Sequence, residues 1–267
     1  MPETALNNAY TALKRFVGPI LANHRTGAII ARLWNDRIPH RGLIIDTSDP
    51  VVGNDIKAAL LVRGYESSEY RFVRKYLPRN CDVVELGGSL GVISCTIRRH
   101  IEAERKLVIV EADPRLAASL TRNLKLNDCE RNSIVEHKAI SYSGDATVSF
   151  ALGETSVSGR IAEHGAGLRT VEVGATSLSG LLETHQLTDY CLVSDIEGVE
   201  WQIVAHDFEA LAKARVIVME THDVAEYGKF QKLIGQITAS GLFDHVDLHG
   251  AVAVFIRRTA QSSSELS

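Results

Sequence analysis

The chain lacks the sequence features of membrane proteins, of secreted proteins and of strongly basic nucleic-acid-binding proteins. No apolar run approaches the about 18 residues that a membrane span needs, and no charged start followed by an apolar stretch stands at the N-terminus. Basic residues are not in excess: 29 Lys and Arg against 33 Asp and Glu give a formal net charge of -4. The four cysteines show no CxxC spacing. We therefore expect a soluble, cytoplasmic protein with neither a membrane nor a nucleic acid as its partner.

The length of 267 residues suits one α/β domain of about 200 residues with an additional segment. The predicted division is an N-terminal helical and extended segment at residues 1–63, a main domain at residues 64–258, and a disordered polar tail at residues 259–267. In the first segment, apolar residues at spacings of three and four predict an amphipathic helix over residues 5–16. This helix either docks on the main domain or forms a dimer contact, so a homo-oligomer through this segment stays open.

Apolar periodicity predicts strands that alternate with helices through the main domain. The strands are expected at 82–86, 107–111, 134–138, 190–195, 215–220, 243–248 and 251–257. The helices are expected at 67–77, 91–101, 114–126, 177–186, 198–206 and 226–240. Such alternation predicts a mostly parallel sheet that is covered on both faces. Only a short turn around His249 and Gly250 separates the last two strands, which should form an antiparallel hairpin at the sheet edge.

The most informative segment is VVELGGSLG at residues 83–91, where an apolar strand ends in Glu85 and runs into a glycine turn. Glycines let the backbone pass close to a ligand. A second acid, Glu111, ends the next predicted strand, where a carboxylate can accept hydrogen bonds from both hydroxyls of a ribose. The two acids predict a nucleoside cofactor. Because Glu85 would repel a pyrophosphate, the pattern favours a cationic ligand such as S-adenosylmethionine over a dinucleotide.

A second group of polar residues follows two later strands. Asp195 and Glu197 are two residues apart in an extended stretch, so their side chains point to the same face, and the same alternation places Glu220 and His222 on one side. Three roles stay open for the acids: a base for a hydroxyl, a ligand for a divalent metal, or a partner for the cofactor's ammonium. Asp195, Glu220 and His222 suit a metal by residue type, but no dedicated metal motif is present and no metal site is assigned.

Five blocks of this sequence resemble the FkbM-type S-adenosylmethionine-dependent methyltransferases. They are GYESSE at 64–69, VVELGGSLG at 83–91, VEADP with NLKLN at 110–114 and 123–127, HKAIS at 137–141, and SDIEGVE with VIVMETH at 194–200 and 216–222. Two positions depart from the family's usual pattern. Gly88 and Ser89 replace the alanine and asparagine of the turn, and Leu178-Ser179 replaces a leucine-aspartate pair, although serine also caps helices.

The resemblance implies a class I methyltransferase fold, which is Rossmann-like and ends in an antiparallel hairpin, with S-adenosylmethionine as cofactor. Glu85 and the glycine turn would line its methionine portion, Glu111 would hold the ribose, and Ala112 and Ala139 would flank the adenine. Tyr65 and Glu66 would close over the cofactor. The cofactor-binding residues implied are Tyr65, Glu66, Glu85, Gly87, Gly88, Ser89, Gly91, Glu111, Ala112, Ala139 and Asp195.

The expected reaction is O-methylation of a sugar or small-molecule hydroxyl, in which the oxygen acceptor is implied by the resemblance alone. Asp195 and His222 are the candidates for the base that takes the acceptor's proton, with Glu197 in support. A histidine in this position can also be a surface residue of a turn. Two alternatives stay open: a dinucleotide-dependent oxidoreductase, and a non-catalytic subunit that binds S-adenosylmethionine and serves a partner.

The glycine-rich stretch at residues 156–170 has little periodicity and is expected to be a loop over the strand ends. Long loops of this kind often carry function, so we expect it to form part of the pocket for a small-molecule or glycan acceptor. Its candidate polar contacts are Arg160, His164 and Arg169.

Overall fold

A computed structural model describes residues 24–153, 160–161 and 169–258. Its helices are α1 (His24–Trp34), α2 (Asn54–Leu61), α3 (Ser67–Tyr76), α4 (Val92–His100), α5 (Pro114–Leu126), α6 (Leu178–His185), α7 (Glu200–His206), α8 (Phe208–Leu211) and α9 (Phe230–Ala239). Its strands are β1 (Arg37–His40), β2 (Leu43–Asp46), β3 (Asp82–Leu86), β4 (Leu107–Val110), β5 (Ser133–Glu136), β6 (Lys138–Ile140), β7 (Thr147–Ala151), β8 (Arg160–Ile161), β9 (Thr170–Thr176), β10 (Tyr190–Ser194), β11 (Ala214–Glu220), β12 (Phe243–His249) and β13 (Val252–Arg257). The predicted helix at 5–16 and tail at 259–267 lie outside the described residues.

The main sheet has seven strands in the order β12-β13-β11-β10-β3-β4-β5. The five strands from β11 to β5 are parallel, and β13 pairs antiparallel with both β11 and β12. This arrangement confirms the predicted α/β class, the mostly parallel sheet and the C-terminal antiparallel hairpin. Strand β4 is buried at every position, as expected of a strand with helices on both faces.

Helices cover both faces of this sheet. Val83 of β3 packs into an apolar cluster with α4 and α5, whereas the next residue, Val84, packs into a second cluster with α6 and Trp201. Because side chains alternate along a strand, successive residues reach opposite faces. The carboxyl ends of β3, β4, β10 and β11 therefore meet at one edge, where α/β sheets bind their ligands.

A second sheet of four strands, in the order β6-β9-β7-β8, departs from the prediction. The expected strand at 134–138 ends at Glu136, and Lys138–Ile140 pairs instead with β9 in this second sheet. Strands β7 and β9 were not expected at all. They are partly exposed, so their apolar period is weak, and their pairing is set by contacts that are distant in sequence.

The segment before residue 64 adds an antiparallel ribbon of β1 and β2 with helices α1 and α2. Its Ile38 and Ile45 are fully buried in the same apolar cluster as β3. The side chain of Asn123 on α5 accepts a hydrogen bond from the Asp46 backbone N–H at 2.7 Å, which ties β2 to the main domain. The domain division at residue 63 stays a prediction. No helix in the described part of the chain is long and apolar enough to cross a membrane.

Candidate functional site

The glycine turn between β3 and α4 is held by three neighbouring segments. The backbone N–H groups of Gly87 and Gly88 donate to the carbonyl oxygen of Val110 at 2.9 and 3.1 Å. Gly87 has a φ of +86°, and a Cβ at this position would lie 1.9 Å from the carbonyl oxygen of Asp195. A Cβ at Gly88 would lie 2.3 Å from Leu120 Cδ1 of α5. The turn therefore depends on the absence of side chains at both glycines.

Glu111 connects the end of β4 to this turn. Its side chain accepts hydrogen bonds from the backbone N–H groups of Ser89 at 2.7 Å and Asp113 at 2.8 Å, one on each carboxylate oxygen. Burial raises the pKa of Glu111 to about 7, against the opposing effect of these two backbone donors. Each oxygen keeps a further lone pair for a ligand, so the carboxylate is fixed in position and still able to accept.

Glu85, at the end of β3, lies beneath the turn and is only 2% exposed. Its Oε2 atom has no hydrogen-bond partner. Burial raises the pKa of this carboxyl to about 8, although the neighbouring Ser94 opposes the shift. A buried carboxyl oxygen without a partner is rare, and a cationic ligand group would satisfy it.

The predicted entry segment reaches the same turn. The hydroxyl groups of Tyr65 and Ser89 are 3.1 Å apart and share a hydrogen bond. Glu66 follows in a left-handed conformation with a φ of +44° at the start of α3. Burial raises the pKa of Tyr65 and of Glu66 well above their usual ranges. The structure thus brings this pair to the turn, and their closure over a cofactor stays a prediction.

Ala112 and Ala139 lie in the apolar cluster beneath the second sheet. Ala139 is 3% exposed and packs with Phe150 and Val173, while Ala112 is partly buried against the same cluster. The Ala112 carbonyl oxygen lies 3.1 Å from Nε2 of His137. The two alanines therefore belong to one apolar wall beside Glu111, and their contact with an adenine stays a prediction.

A group of acidic side chains surrounds His222 at the ends of β10 and β11. The imidazole Nε2 lies 3.7 Å from Asp195 Oδ1 and 3.7 Å from Glu197 Oε2, and Nδ1 lies 3.4 Å from Glu200 Oε1. The Asp195 backbone N–H donates to the Leu86 carbonyl oxygen at 2.9 Å. This hydrogen bond places the group directly beside the glycine turn. We call Asp195, Glu197, Glu200 and His222 the acid-histidine group.

Glu200 is the member of this group that the sequence did not reveal. It is fully buried, and its two carboxylate oxygens accept hydrogen bonds from the backbone N–H groups of Ile196 at 2.9 Å and Gly198 at 2.8 Å. An acid in the first turn of a helix is usually explained by the favourable charge at a helix N-terminus. Here the first side chain of α7 instead folds back and fixes the preceding loop.

The charges in the acid-histidine group shift the pKa values of His222 and Asp195. Burial by itself would lower the pKa of His222, but its close contact with Glu200 and the charges of Glu200, Asp195 and Glu197 outweigh burial and raise the pKa to about 9. Burial and then the charge of Glu220 raise the pKa of Asp195 well above its usual range, while His222 opposes this shift. The imidazole therefore carries a proton at neutral pH, and Asp195 is a stronger base than an ordinary aspartate.

The sequence matches the family model of the methyltransferase FkbM domain over residues 83–259, which is well over half of the chain. The chain belongs to the FkbM methyltransferase family. No curated protein matches the sequence. Among solved structures, an O-methyltransferase from Bacillus cereus in complex with SAH is 12% identical, with 94% of this chain and 99% of that chain covered and a TM-score of 0.48. A methyltransferase from Geobacter sulfurreducens is 12% identical, with 88% and 87% covered and a TM-score of 0.42.

The residues of this FkbM methyltransferase fit S-adenosylmethionine, which supplies an electrophilic methyl group when bound. Glu111 offers free lone pairs for a ribose, and the orphaned oxygen of Glu85 suits a cationic group. The family match supports the methyltransferase prediction and gives no support to the alternative of a dinucleotide-dependent oxidoreductase.

Two further predicted features of the FkbM methyltransferase are Glu220, which was expected beside His222, and the acceptor loop at residues 156–170. Glu220 lies against Glu69, whose pKa is raised by burial and by the charge of Glu220. Of the predicted acceptor loop, the backbone of Arg160 pairs with Ala151 and Arg169 is exposed, whereas His164 lies outside the described residues. The part that this loop plays in binding an acceptor stays a prediction.

Glu111→Gln is expected to weaken binding of S-adenosylhomocysteine by about tenfold to a hundredfold, because the new amide group turns a donor toward one of two backbone donors. Isothermal titration calorimetry measures this change. The matched control is Glu136→Gln at the end of β5, since that side chain pairs with Lys138 and His185 instead. Equal affinities of the Glu111 variant and the control would contradict the role of Glu111.

The raised pKa of Glu85 predicts a pH-dependent gain in stability for Glu85→Gln. The folded pKa of about 8 exceeds the ordinary value of 4.5, so the contribution of Glu85 to stability is full below about pH 4.5 and is lost as the pH rises to about 8. As the pH rises from about 5 to about 9, the free energy of unfolding of the unliganded variant should therefore increase by a few kcal/mol relative to that of wild type. Urea unfolding at both pH values tests this, with the exposed Glu104→Gln as control. A pH-independent difference would contradict it.

Proposed function

We propose that this FkbM methyltransferase transfers the methyl group of S-adenosylmethionine to a hydroxyl oxygen of a sugar or another small molecule. The observation that carries the proposal is the direct junction between the glycine turn and the acid-histidine group. Asp195 donates its backbone N–H to Leu86, and its carbonyl oxygen occupies the space where a Cβ of Gly87 would stand. A methyl donor at the turn and a base at Asp195 would therefore be neighbours.

A hydroxyl is weakly acidic, so its methylation needs a base as well as alignment. The Asp195 side chain is 39% exposed and can be reached by an acceptor, while its raised pKa makes it a more effective base. His222 already carries a proton at neutral pH, so it stabilises the neighbouring carboxylates as a cation. Asp195 is thus the proposed base, with His222 and Glu197 as its partners.

An aromatic pair borders this position. Trp201 donates its Nε1–H to the carbonyl oxygen of His222 at 2.9 Å, and its ring stacks on Tyr227 with centroids 5.6 Å apart. Tyr227 belongs to a short loop that closes through the pairing of Val224 with Gly228. Small-molecule sites typically combine apolar and aromatic walls with a few placed polar groups, which supports a small acceptor.

The test is a screen of S-adenosylmethionine turnover with hydroxylated small molecules, glycans and their amine counterparts. Formation of S-adenosylhomocysteine together with an O-methylated product, identified by mass spectrometry, is the expected result. Methylation of the amines alone would contradict the choice of oxygen. Binding of S-adenosylmethionine without turnover on any acceptor would favour the non-catalytic partner subunit.

A further inference from the structure

We propose that Asp195, Glu200 and His222 form a binding site for a divalent transition-metal ion. These side chains come from three separate segments: the loop after β10, the first residue of α7, and the loop after β11. Each offers one ligand atom, and the three atoms lie within 4.8 Å of one another. Of the described residues, these three form the group of His, Cys, Asp and Glu side chains that meets this geometry.

The distances within the group suit ligands around a common ion better than direct hydrogen bonds. Contacts of 3.7 Å between His222 Nε2 and Asp195 Oδ1, and of 3.4 Å between His222 Nδ1 and Glu200 Oε1, are longer than strong charge-assisted hydrogen bonds. Ligands that are each about 2.1 Å from one ion lie about 3.0–3.4 Å apart at right or tetrahedral angles. A small inward movement would therefore complete a metal site through one imidazole nitrogen.

Two of the ligand residues also present polar atoms without partners. Asp195 Oδ1 and His222 Nδ1 are buried atoms that make no hydrogen bond. Buried polar atoms are nearly always satisfied by a hydrogen bond, a water or an ion. Glu200 is fully buried, yet its two backbone donors leave each carboxylate oxygen a further lone pair. The group thus has both the need and the capacity for an additional ligand.

The charge of the site favours a cation. Three carboxylates, those of Asp195, Glu197 and Glu200, surround a single imidazole, and Glu220 adds its charge to Asp195. One imidazolium cannot neutralise three or four carboxylates. A divalent ion bound by the unprotonated imidazole would replace that single positive charge with two and bring the site one unit closer to neutrality, which lowers the cost of burying these charges.

The ligand types indicate which ion would bind. Imidazole favours transition metals, whereas Mg²⁺ and Ca²⁺ prefer sets made only of oxygen ligands. One imidazole with two carboxylates therefore points to an ion such as Mn²⁺ or Zn²⁺, with open positions for water or for an acceptor. The inference deepens the proposed function and depends on it for its purpose, because a hydroxyl bound to such an ion loses its proton more readily.

The experiment is a Mn²⁺ titration of the full chain after treatment with EDTA, with S-adenosylhomocysteine present, followed by electron paramagnetic resonance and calorimetry. The expected result is one bound Mn²⁺ per chain. His222→Ala should weaken this binding by more than about tenfold. Asp189→Asn, an acid before the start of β10 that pairs with Arg215 and Arg257, should bind Mn²⁺ like wild type.

The absence of stoichiometric Mn²⁺ binding, or equal binding by the His222 variant and wild type, would overturn the metal site. Calorimetry with S-adenosylhomocysteine on each variant shows that it is folded, and His222→Asn replaces His222→Ala if the latter does not fold. Methyl transfer that persists in EDTA-treated, Mn²⁺-free protein would overturn the role of the ion in the reaction while leaving O-methylation intact. Stoichiometric Mn²⁺ binding that the His222 variant weakens, without methyl transfer to any acceptor, would support the metal site and contradict the proposed function.

Discussion

Replacing Asp195 with asparagine is expected to lower kcat by about 10²- to 10⁴-fold, the usual contribution of a positioned general base. Asparagine has nearly the same shape and keeps one carbonyl oxygen, so the backbone hydrogen bond to Leu86 and the neighbouring glycine turn should persist. It cannot take up the acceptor's proton. The measurement is steady-state turnover with the best acceptor from the screen, together with calorimetric binding of S-adenosylhomocysteine.

The matched control for this variant lies at the other end of the same strand. Asp189 precedes β10 and pairs with Arg215 and Arg257, far from the carboxyl ends of the strands. Asp189→Asn should turn over at the wild-type rate. If Asp195→Asn also turned over at the wild-type rate, Asp195 would be excluded as the base. A loss of cofactor binding equal to the loss of turnover would instead indicate a role in holding the cofactor.

Gly87→Ala is expected to lower the free energy of unfolding by about 3–5 kcal/mol and to abolish cofactor binding. The new Cβ would lie 1.9 Å from the Asp195 carbonyl oxygen, a distance that requires the backbone to move. Since that oxygen belongs to the loop that carries the acid-histidine group, the movement would separate the turn from the proposed base. Urea unfolding and calorimetry with S-adenosylhomocysteine measure the two effects.

Gly144→Ala separates the steric part of this effect from the backbone part. Gly144 has a φ of +85°, almost equal to the +86° of Gly87, but a Cβ at Gly144 would meet no atom within 4 Å. Its cost should be about 1 kcal/mol, from the left-handed conformation alone. The excess cost at Gly87 measures the clash with Asp195. Equal losses in the two variants would show that the turn and the Asp195 loop are not in tight contact.

The sequence predicted those parts of the protein in which the information lies within one element or its immediate neighbours. Continuous apolar runs such as residues 107–110 predicted buried parallel strands, and the short link at His249 and Gly250 predicted the terminal hairpin. The acids at Glu85 and Glu111 indicated a cationic nucleoside ligand before any fold was known. In each case a local pattern reports directly on burial or charge.

Elements without a strong local pattern could not be predicted in this way. Strands β7 and β9 are partly exposed, so their apolar pattern is weak, and the second sheet forms from contacts distant in sequence. Helix α9 begins at Phe230 and not near residue 226, because the loop after His222 closes on itself and the Asp223 side chain caps the Phe230 N–H at 2.8 Å. Such side-chain contacts leave no periodic signal.

The sequence by itself determined the fold class and the family, and it predicted the chemistry of the cofactor site, because the motifs of the glycine turn and the strand ends follow in order along the chain. Only the tertiary structure decided the composition of the acid-histidine group. Glu200 looks like an ordinary helix-start acid, and nothing in its spacing shows that it folds back toward His222. The distances among Asp195, Glu200 and His222 depend on how two loops and the start of α7 pack together, and no pattern within a single element encodes that packing.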